Sequence, residues 1–345
     1  MKRTADALQI AFTYIGTVVG AGFATGQELV QFFTKYGTVA LATIAAATAL
    51  FIWIGMKTML LAHDIGARSY EDVNRFLFGK RWGATLSFLL LAELLSVSVV
   101  MLAGAGSVFR EQLGLSFFLG AAATLLFAYA VVRGGLRGIL AVNSAVAPAM
   151  LLFSGIVLFE IFRDGSPAPL DLLHQPDPYP PGRAWIAPLL YAAFNLTAAQ
   201  AVLAPLGAAA DRGAVKLGAA LGGAGLGVLL LAGHLALSAH APDIFRYDIP
   251  MGYVVSRLGP AVHVLYVLLI YAEICTTFIS DVYGASLQLE QRLGIPSAAA
   301  AAGILALCFA FCFIGFKPLL ATLYPLFGAL SLVWFAAVAV RGRRV

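Results

Sequence analysis

One apolar stretch near the start of the chain, from about Leu8 to Phe33, is long enough to cross a membrane, yet Gly20-Ala21-Gly22 interrupts it. It also carries Thr13, Thr17, Thr25 and Gln27 at depths where hydrocarbon would surround them. Irregular backbone and polar groups survive there only inside protein or against a water-filled cavity, so the pattern describes a helix broken around a binding site. The remainder of the chain extends the constraint. With 61% hydrophobic and 11% charged residues over 345 positions, it is more apolar than a soluble core of this size requires.

Further apolar runs are expected as helices over 38–60, 83–109, 115–132, 138–162, 185–207, 214–239, 258–287, 296–315 and 318–340. With 8–34 they make ten spans of an all-α integral membrane protein, each able to cross about 30 Å of hydrocarbon. If both termini share one side, that side holds fifteen of the 22 Lys and Arg, including Lys2, Arg3, Lys57, Arg75, Lys80 and Arg81. The positive-inside rule makes it cytoplasmic. Anionic lipid accounts for the net charge of +5, and no nucleic-acid partner is implied. The first span exceeds a signal-peptide core and has no small-residue cleavage site after it, so it is expected to remain as a membrane helix.

Two segments are too polar for the bilayer. Ala62 to Trp82 carries His63, Asp64, Arg68, Glu71, Asp72, Arg75, Lys80 and Arg81 and is expected to form a cytoplasmic amphipathic helix bracing spans two and three. The Pro- and Asp-rich stretch 163–184 reads as an external connection between the halves 1–162 and 185–345. Cys275, Cys308 and Cys312 all fall within spans; Cys308 and Cys312 read as small buried thiols rather than a transition-metal site, because no further ligands accompany them.

The halves share a pattern. Ala92-Glu93 and Ala272-Glu273 each follow an apolar lead and precede small polar residues, 180 positions apart. The same offset sets Tyr14 against Phe194, Thr17 against Thr197, and Gly20-Ala21-Gly22 against Gln200-Ala201-Val202. Five spans separate the matched elements, so the copies have opposite membrane orientations, the mark of an inverted repeat.

Gly20 and Gly22 let backbone approach a ligand, and a break between half-helices frees amides for an anionic group and carbonyls for a cation. Gly20, Ala21, Gly22 and Thr25 are therefore candidate substrate contacts, although Gly-x-Gly also serves close helix packing. In the paired stretch LLYAAFNLTAAQAVLAPLG, 189–207, Phe194 and Asn195 are the substrate-facing candidates. That stretch has no glycine pair, although Pro205 and Gly207 accommodate irregular backbone. Glu93 and Glu273 lie near mid-span, where a carboxyl group must be neutral, paired or facing a polar cavity; with Asp281 they are the proton-coupling candidates. Reciprocal hydrogen bonds fastening the halves together are the structural alternative.

VVGAGFATGQE, 18–28, with the span number and paired halves, resembles the YkvI-like family of bacterial membrane proteins within the amino acid/polyamine/organocation transporter superfamily. The resemblance implies a five-plus-five inverted repeat of the leucine-transporter type in a bacterial cytoplasmic membrane. Spans one and six are then discontinuous, and spans one, three, six and eight surround the substrate. A bundle of spans one, two, six and seven would move against a scaffold of three, four, eight and nine. In YAEICTTFISDVYG, Ala272, Cys275 and Thr276 match sodium-ligand positions, partnered by carbonyls near Thr17 and Gly20. A thiol is poor chemistry for sodium, which leaves the oxygen to Thr276 and Thr277. The resemblance also places Glu290 where it would meet Lys2 or Arg3 as an inner gate.

The expectation is a secondary transporter of a small organic solute, an amino acid by preference, coupled to sodium or alternatively to protons. A channel and a non-transporting receptor are the other classes. The five histidines form no catalytic array, and the glycine pair lacks the Lys-Ser/Thr of a nucleotide loop, so neither an enzyme nor a bound cofactor is expected. Lipid and the solute are the expected partners, and a lipid-facing surface identifies no oligomeric state.

Overall fold

The computed structural model describes residues 2–67, 69–134, 152, 153, 155, 156, 159 and 181–341. Among them no strand occurs. The helices are α1 (Lys2–Val18), α2 (Ala21–Ala24), α3 (Gln27–Phe32), α4 (Val39–Ile65), α5 (Tyr70–Gln112) and α6 (Phe117–Gly134). After a turn at Pro181–Ala184 come α7 (Ala187–Ala209), α8 (Arg212–Ser238), α9 (Pro250–Ser256), α10 (Pro260–Leu293), α11 (Ser297–Phe311) and α12 (Phe316–Arg341).

Seven of the expected spans stand as single helices long and apolar enough to cross a membrane. The fourth contributes a shorter apolar run, Phe117–Val131. The first is divided among α1, α2 and α3. Most of the fifth, 138–162, and of the connection 163–184 lies outside the described residues. One expectation is corrected. The sixth span is not discontinuous: α7 runs unbroken through Asn195 and Thr197, with Pro205 inside it. With no glycine at the matched position the helix has no residue that favours a break, and Pro205 removes only one ladder donor near its end.

Two packing groups result. In one, α1 lies on α8, α4 on both α7 and α8, and α1 on α7; in the other, α5 lies on α6 and α10, and α10 on α11. The last helix, α12, leans on α7 and α5 and so joins the groups. Close approach in the first group rests on glycines of α8. A Cβ at Gly218 or Gly222 would collide with Ile10 or Tyr14 of α1, and one at Gly223 or Gly227 with Ile52 or Thr48 of α4. Small residues at i and i+4 let membrane helices meet backbone to backbone.

The charged segment after α4 divides in two. Ala62 to Ile65 ends α4 before Gly66, and a Ser69–Asp72 capping box opens α5. Gly79, at φ 75°, kinks α5 and sets off its first turns. There Val73, Asn74 and Leu77 are buried while Glu71 and Arg75 face outward. This helix is fastened to α12 rather than only to its chain neighbours: Trp334 Nε1 donates to Asn74 Oδ1 at 3.0 Å, and Arg341 donates to the Leu77 carbonyl.

Candidate functional site

The break in the first span is a built feature. The Val19 N–H still reaches the Ile15 carbonyl at 2.8 Å, and then Gly20 adopts an extended conformation and α2 begins. The Thr25 hydroxyl donates to the Gly22 carbonyl at 2.8 Å and accepts from the Gln27 N–H at 3.2 Å, while Gly26 turns the chain at φ 80°. Carbonyls freed at this depth have no bulk water to turn to. Other elements supply their donors: the Met251 N–H reaches the Thr25 carbonyl at 2.9 Å, and the Tyr266 hydroxyl reaches that of Ala24 at 3.0 Å.

Beside the break lies a cavity of about 410 Å³. Its wall combines Thr17, Gly20, Ala21 and Gly22 with Glu28 of α3, Glu93 of α5, Phe194, Asn195, Thr197 and Gln200 of α7, Thr277, Ser280 and Asp281 of α10, and Tyr324 of α12. Leu90, Leu94, Val97 and Met101 form an apolar side. The cavity extends past Tyr70 and Gln288, towards the end of the bundle that carries the α4–α5 turn. At the other end, the segment from Asp243 to Ser256 is tied onto α5. Glu111 accepts from the backbone N–H groups of Asp248 and Ile249, both at 2.9 Å, and Asp248 Oδ2 accepts from Ser107 at 2.7 Å and Arg110 at 2.8 Å.

Within the cavity the polar groups are unequally satisfied. Glu28 accepts from the Tyr191 hydroxyl at 3.1 Å, and a Cβ on Gly22 would collide with its carboxyl group. Glu93 is only 2% exposed, and neither of its carboxyl oxygens has a hydrogen-bond partner. Asp281 Oδ2, Thr197 Oγ1 and both side-chain polar atoms of Gln200 are likewise buried and unpartnered. Asn195 is held by its own helix, donating to the Tyr191 carbonyl at 3.0 Å. Phe194 lies against Tyr324, ring centroids 4.4 Å apart.

Of the residues singled out from sequence, the cavity wall brings together Thr17, Gly20, Ala21, Gly22, Phe194, Asn195, Glu93, Thr277 and Asp281. It does not include Thr25, Ala272, Glu273, Cys275 or Thr276. Thr25 is committed to the turn, and the Thr276 hydroxyl donates to the Glu273 carbonyl at 3.0 Å. Thr17 spends its hydroxyl on the Thr13 carbonyl at 2.7 Å, and the Gly20 carbonyl accepts from Ala24 at 3.0 Å. In this conformation Arg3 pairs with Asp211 at 3.8 Å, and Glu290 is exposed. Cys308 and Cys312 are buried thiols, Cys312 donating to the Phe309 carbonyl. Sequence reasoning missed Glu28 and its Tyr191 donor. The signal was present: an acid inside an apolar stretch, just past a helix break.

No protein-family model matches the chain. Over 338 residues it is 39% identical to the uncharacterised membrane protein YkvI of Bacillus subtilis (strain 168), covering 96% of this chain and 95% of that one. Among solved structures it resembles the inward-facing conformation of Mhp1, with a TM-score of 0.67 at 12% identity, covering 94% of this chain and 73% of that one. It also resembles MhsT in complex with L-phenylalanine, with a TM-score of 0.61 at 17% identity over 88% of this chain and 78% of that one. A manganese transporter of Eremococcus coleocola, as its H236A mutant, matches with a TM-score of 0.60 at 15% identity over 97% and 78% of the two chains. At these identities the likeness is one of fold, and two of the neighbours' names, with L-phenylalanine and manganese, point to different cargoes.

Proposed function

The chain belongs to the family of the membrane protein YkvI, and from that premise we propose that it is a secondary active transporter of a small organic solute, working by alternating access. The observation that carries the reading is the cavity itself. It lies at a broken helix, is walled by four different spans and the break, and extends towards one end of the bundle, while at the other end the segment from Asp243 to Ser256 is tied to α5 and contributes nothing to the wall. Binding at the middle of the bundle with access from one side is the geometry of a carrier rather than of a continuous pore.

The inverted five-plus-five repeat finds support in how the helices pair. Exchanging the halves turns the α1–α8 contact into the α7–α4 contact, and the α5–α6 contact into the α10–α11 contact, and each of these is made. Under the proposed topology both termini and the α4–α5 turn are cytoplasmic, so this conformation is inward-facing. An amino acid suits the site because the break presents backbone at Ala21 and Gly22 while the cavity wall presents acids. MhsT, a neighbour of the same fold, was solved with L-phenylalanine.

For the coupling ion, the geometry favours protons. Glu93 lines the cavity with both carboxyl oxygens unpartnered, while Thr276 and Cys275 are off its wall. Sodium keeps a second, specific footing in Thr17, Gly20 and Thr277, which bring oxygens of the first span and α10 to one wall. Purified protein in vesicles, given a library of small solutes under separately imposed sodium and pH gradients, tests both. Uptake driven by a pH gradient and lost in Glu93→Gln supports the proton reading. Sodium-driven uptake that survives Glu93→Gln and is lost in Thr277→Val supports the sodium reading, and solute flux that neither gradient drives removes both.

A further inference from the structure

The charge of the cavity wall narrows the class of cargo. Glu28, Glu93 and Asp281 reach one space from three different elements, and among the described residues its lining includes no Lys, Arg or His. Acids inside a membrane protein are ordinarily paired with a base or with hydrogen-bond donors. Here only Glu28 has a protein donor, Tyr191. Both Glu93 oxygens and Asp281 Oδ2 have none, and beside them Gln200, with no exposed surface, leaves its carbonyl and its amino group unpartnered. Orphaned buried polar atoms are rare in folded proteins, and a cluster of them on one cavity marks groups that a ligand satisfies.

The remaining walls fit the same ligand. Phe194 and Tyr324, 4.4 Å apart, both line the space, and aromatic faces attract cations. Leu94, Val97 and Met101 offer an apolar side to a carbon chain. Resting on the transport reading above, we propose that the cargo is an organic ammonium ion of net positive charge, with the chemistry of a diamine or a basic amino acid, whose N–H donors are received by Glu93 and Asp281. A neutral zwitterion brings no net charge to offset three acids, and an anion is repelled. A divalent metal needs several oxygens converging on one point within about 2.0–2.6 Å. Among the described residues no three His, Cys, Asp or Glu side chains gather in that way.

The test uses the full chain in phosphatidylethanolamine–phosphatidylglycerol vesicles, with radiolabelled 1,4-diaminobutane, lysine, leucine, glutamate and manganese(II) as probes. The expected result is saturable counterflow of 1,4-diaminobutane or lysine that excess leucine and glutamate do not inhibit; which of the two moves separates a diamine from a basic amino acid. Glu93→Gln is then expected to lower that flux about tenfold or more, as for loss of a hydrogen bond to a charged group. Its thermal unfolding and size-exclusion profile should match the parent, and Glu93→Asp should recover part of the flux. Saturable counterflow of leucine, glutamate or manganese that neither cationic probe inhibits overturns the proposal and leaves the transport reading intact. Cationic flux unchanged in Glu93→Gln overturns the binding role. Absence of saturable flux for every probe under every gradient overturns the proposal and the transport reading together.

Discussion

The Tyr191 hydroxyl donates to Glu28 Oε2 at 3.1 Å, joining the sixth span to the first residues beyond the break in the first. Tyr191 is held in turn by Phe32, Phe33 and Phe51, with ring centroids 5.1, 5.2 and 5.9 Å away. Tyr191→Phe keeps that aromatic packing and removes only the donor. We expect a stability loss of about 1–3 kcal/mol, the cost of a buried carboxyl group left without its donor, and altered cargo affinity through a Glu28 that is no longer held. Unfolding curves, and isothermal calorimetry with whichever cationic probe the vesicle assay finds transported, check it in parent and variant; equal stability and equal affinity would sever Tyr191 from the site.

The two glycines at the break should respond differently. A Cβ on Gly22 meets the Glu28 carboxyl group, whereas one on Gly20 meets nothing within 4 Å, and Gly20 has a negative φ of −116° that any residue adopts. Gly22→Ala is therefore expected to destabilise by about 1–3 kcal/mol, as overpacking does, and to displace Glu28. Gly20→Ala should fold like the parent. Comparing the two melting temperatures in detergent is sufficient, and equal destabilisation would contradict the contact.

Thr25 offers a test of how the break is maintained. Thr25→Val retains the shape but leaves the Gly22 carbonyl and the Gln27 N–H without the partners they have here. A loss of about 1–3 kcal/mol follows for buried groups left unsatisfied. Tyr266→Phe, which strips the donor from the Ala24 carbonyl, should produce a loss of similar size. Unfolding curves of the single and double variants measure both losses and whether they add.

The reach of the sequence was uneven for reasons these residues make plain. The broken first span was readable because Gly20 and Gly22 sit among polar side chains in an apolar run, a conflict that hydrocarbon does not tolerate. Phe194, Asn195 and Glu93 followed from a common offset. The sixth span looked discontinuous only through the family resemblance, and its own residues, lacking glycine at the matched position, form a continuous helix. Glu28 escaped notice although it closes the motif at 18–28, because its role depends on Tyr191, 163 positions away. Thr276 looked like a ligand through the family resemblance, yet which face of α10 meets the cavity is decided by packing, and the wall takes Thr277 and Asp281 instead. Periodicity cannot distinguish a lipid-facing from a protein-facing side in a helix that is apolar all round.

The tied end should be releasable. Glu111 holds two backbone N–H groups of the segment at that end of the bundle, and Glu111→Gln leaves only one carboxamide oxygen for both. In alternating access, weakening a contact made in one state shifts the population towards the other. A single reporter cysteine at Phe194, in a background with Cys275, Cys308 and Cys312 replaced, should react several-fold faster with an external membrane-impermeant maleimide when Glu111→Gln is added. Unchanged labelling would show that the segment does not govern access.

The last prediction concerns pH and follows from the bare carboxyl group of Glu93. A protonated carboxyl presents one acceptor fewer and no negative charge, so an ammonium cargo and a proton exclude one another there. Cargo affinity should then rise with pH, with a slope approaching about tenfold per pH unit if one proton is released on binding. Glu28 from α3, Asp281 from α10, Tyr324 from α12 and Tyr70 from α5 face the same cavity, and the acids among them can contribute protons of their own. The comparison that isolates Glu93 is therefore the difference between parent and Glu93→Gln across one pH series. Binding isotherms of the purified protein should show a shallower pH slope in the variant, and parallel slopes would assign the proton to another of these groups.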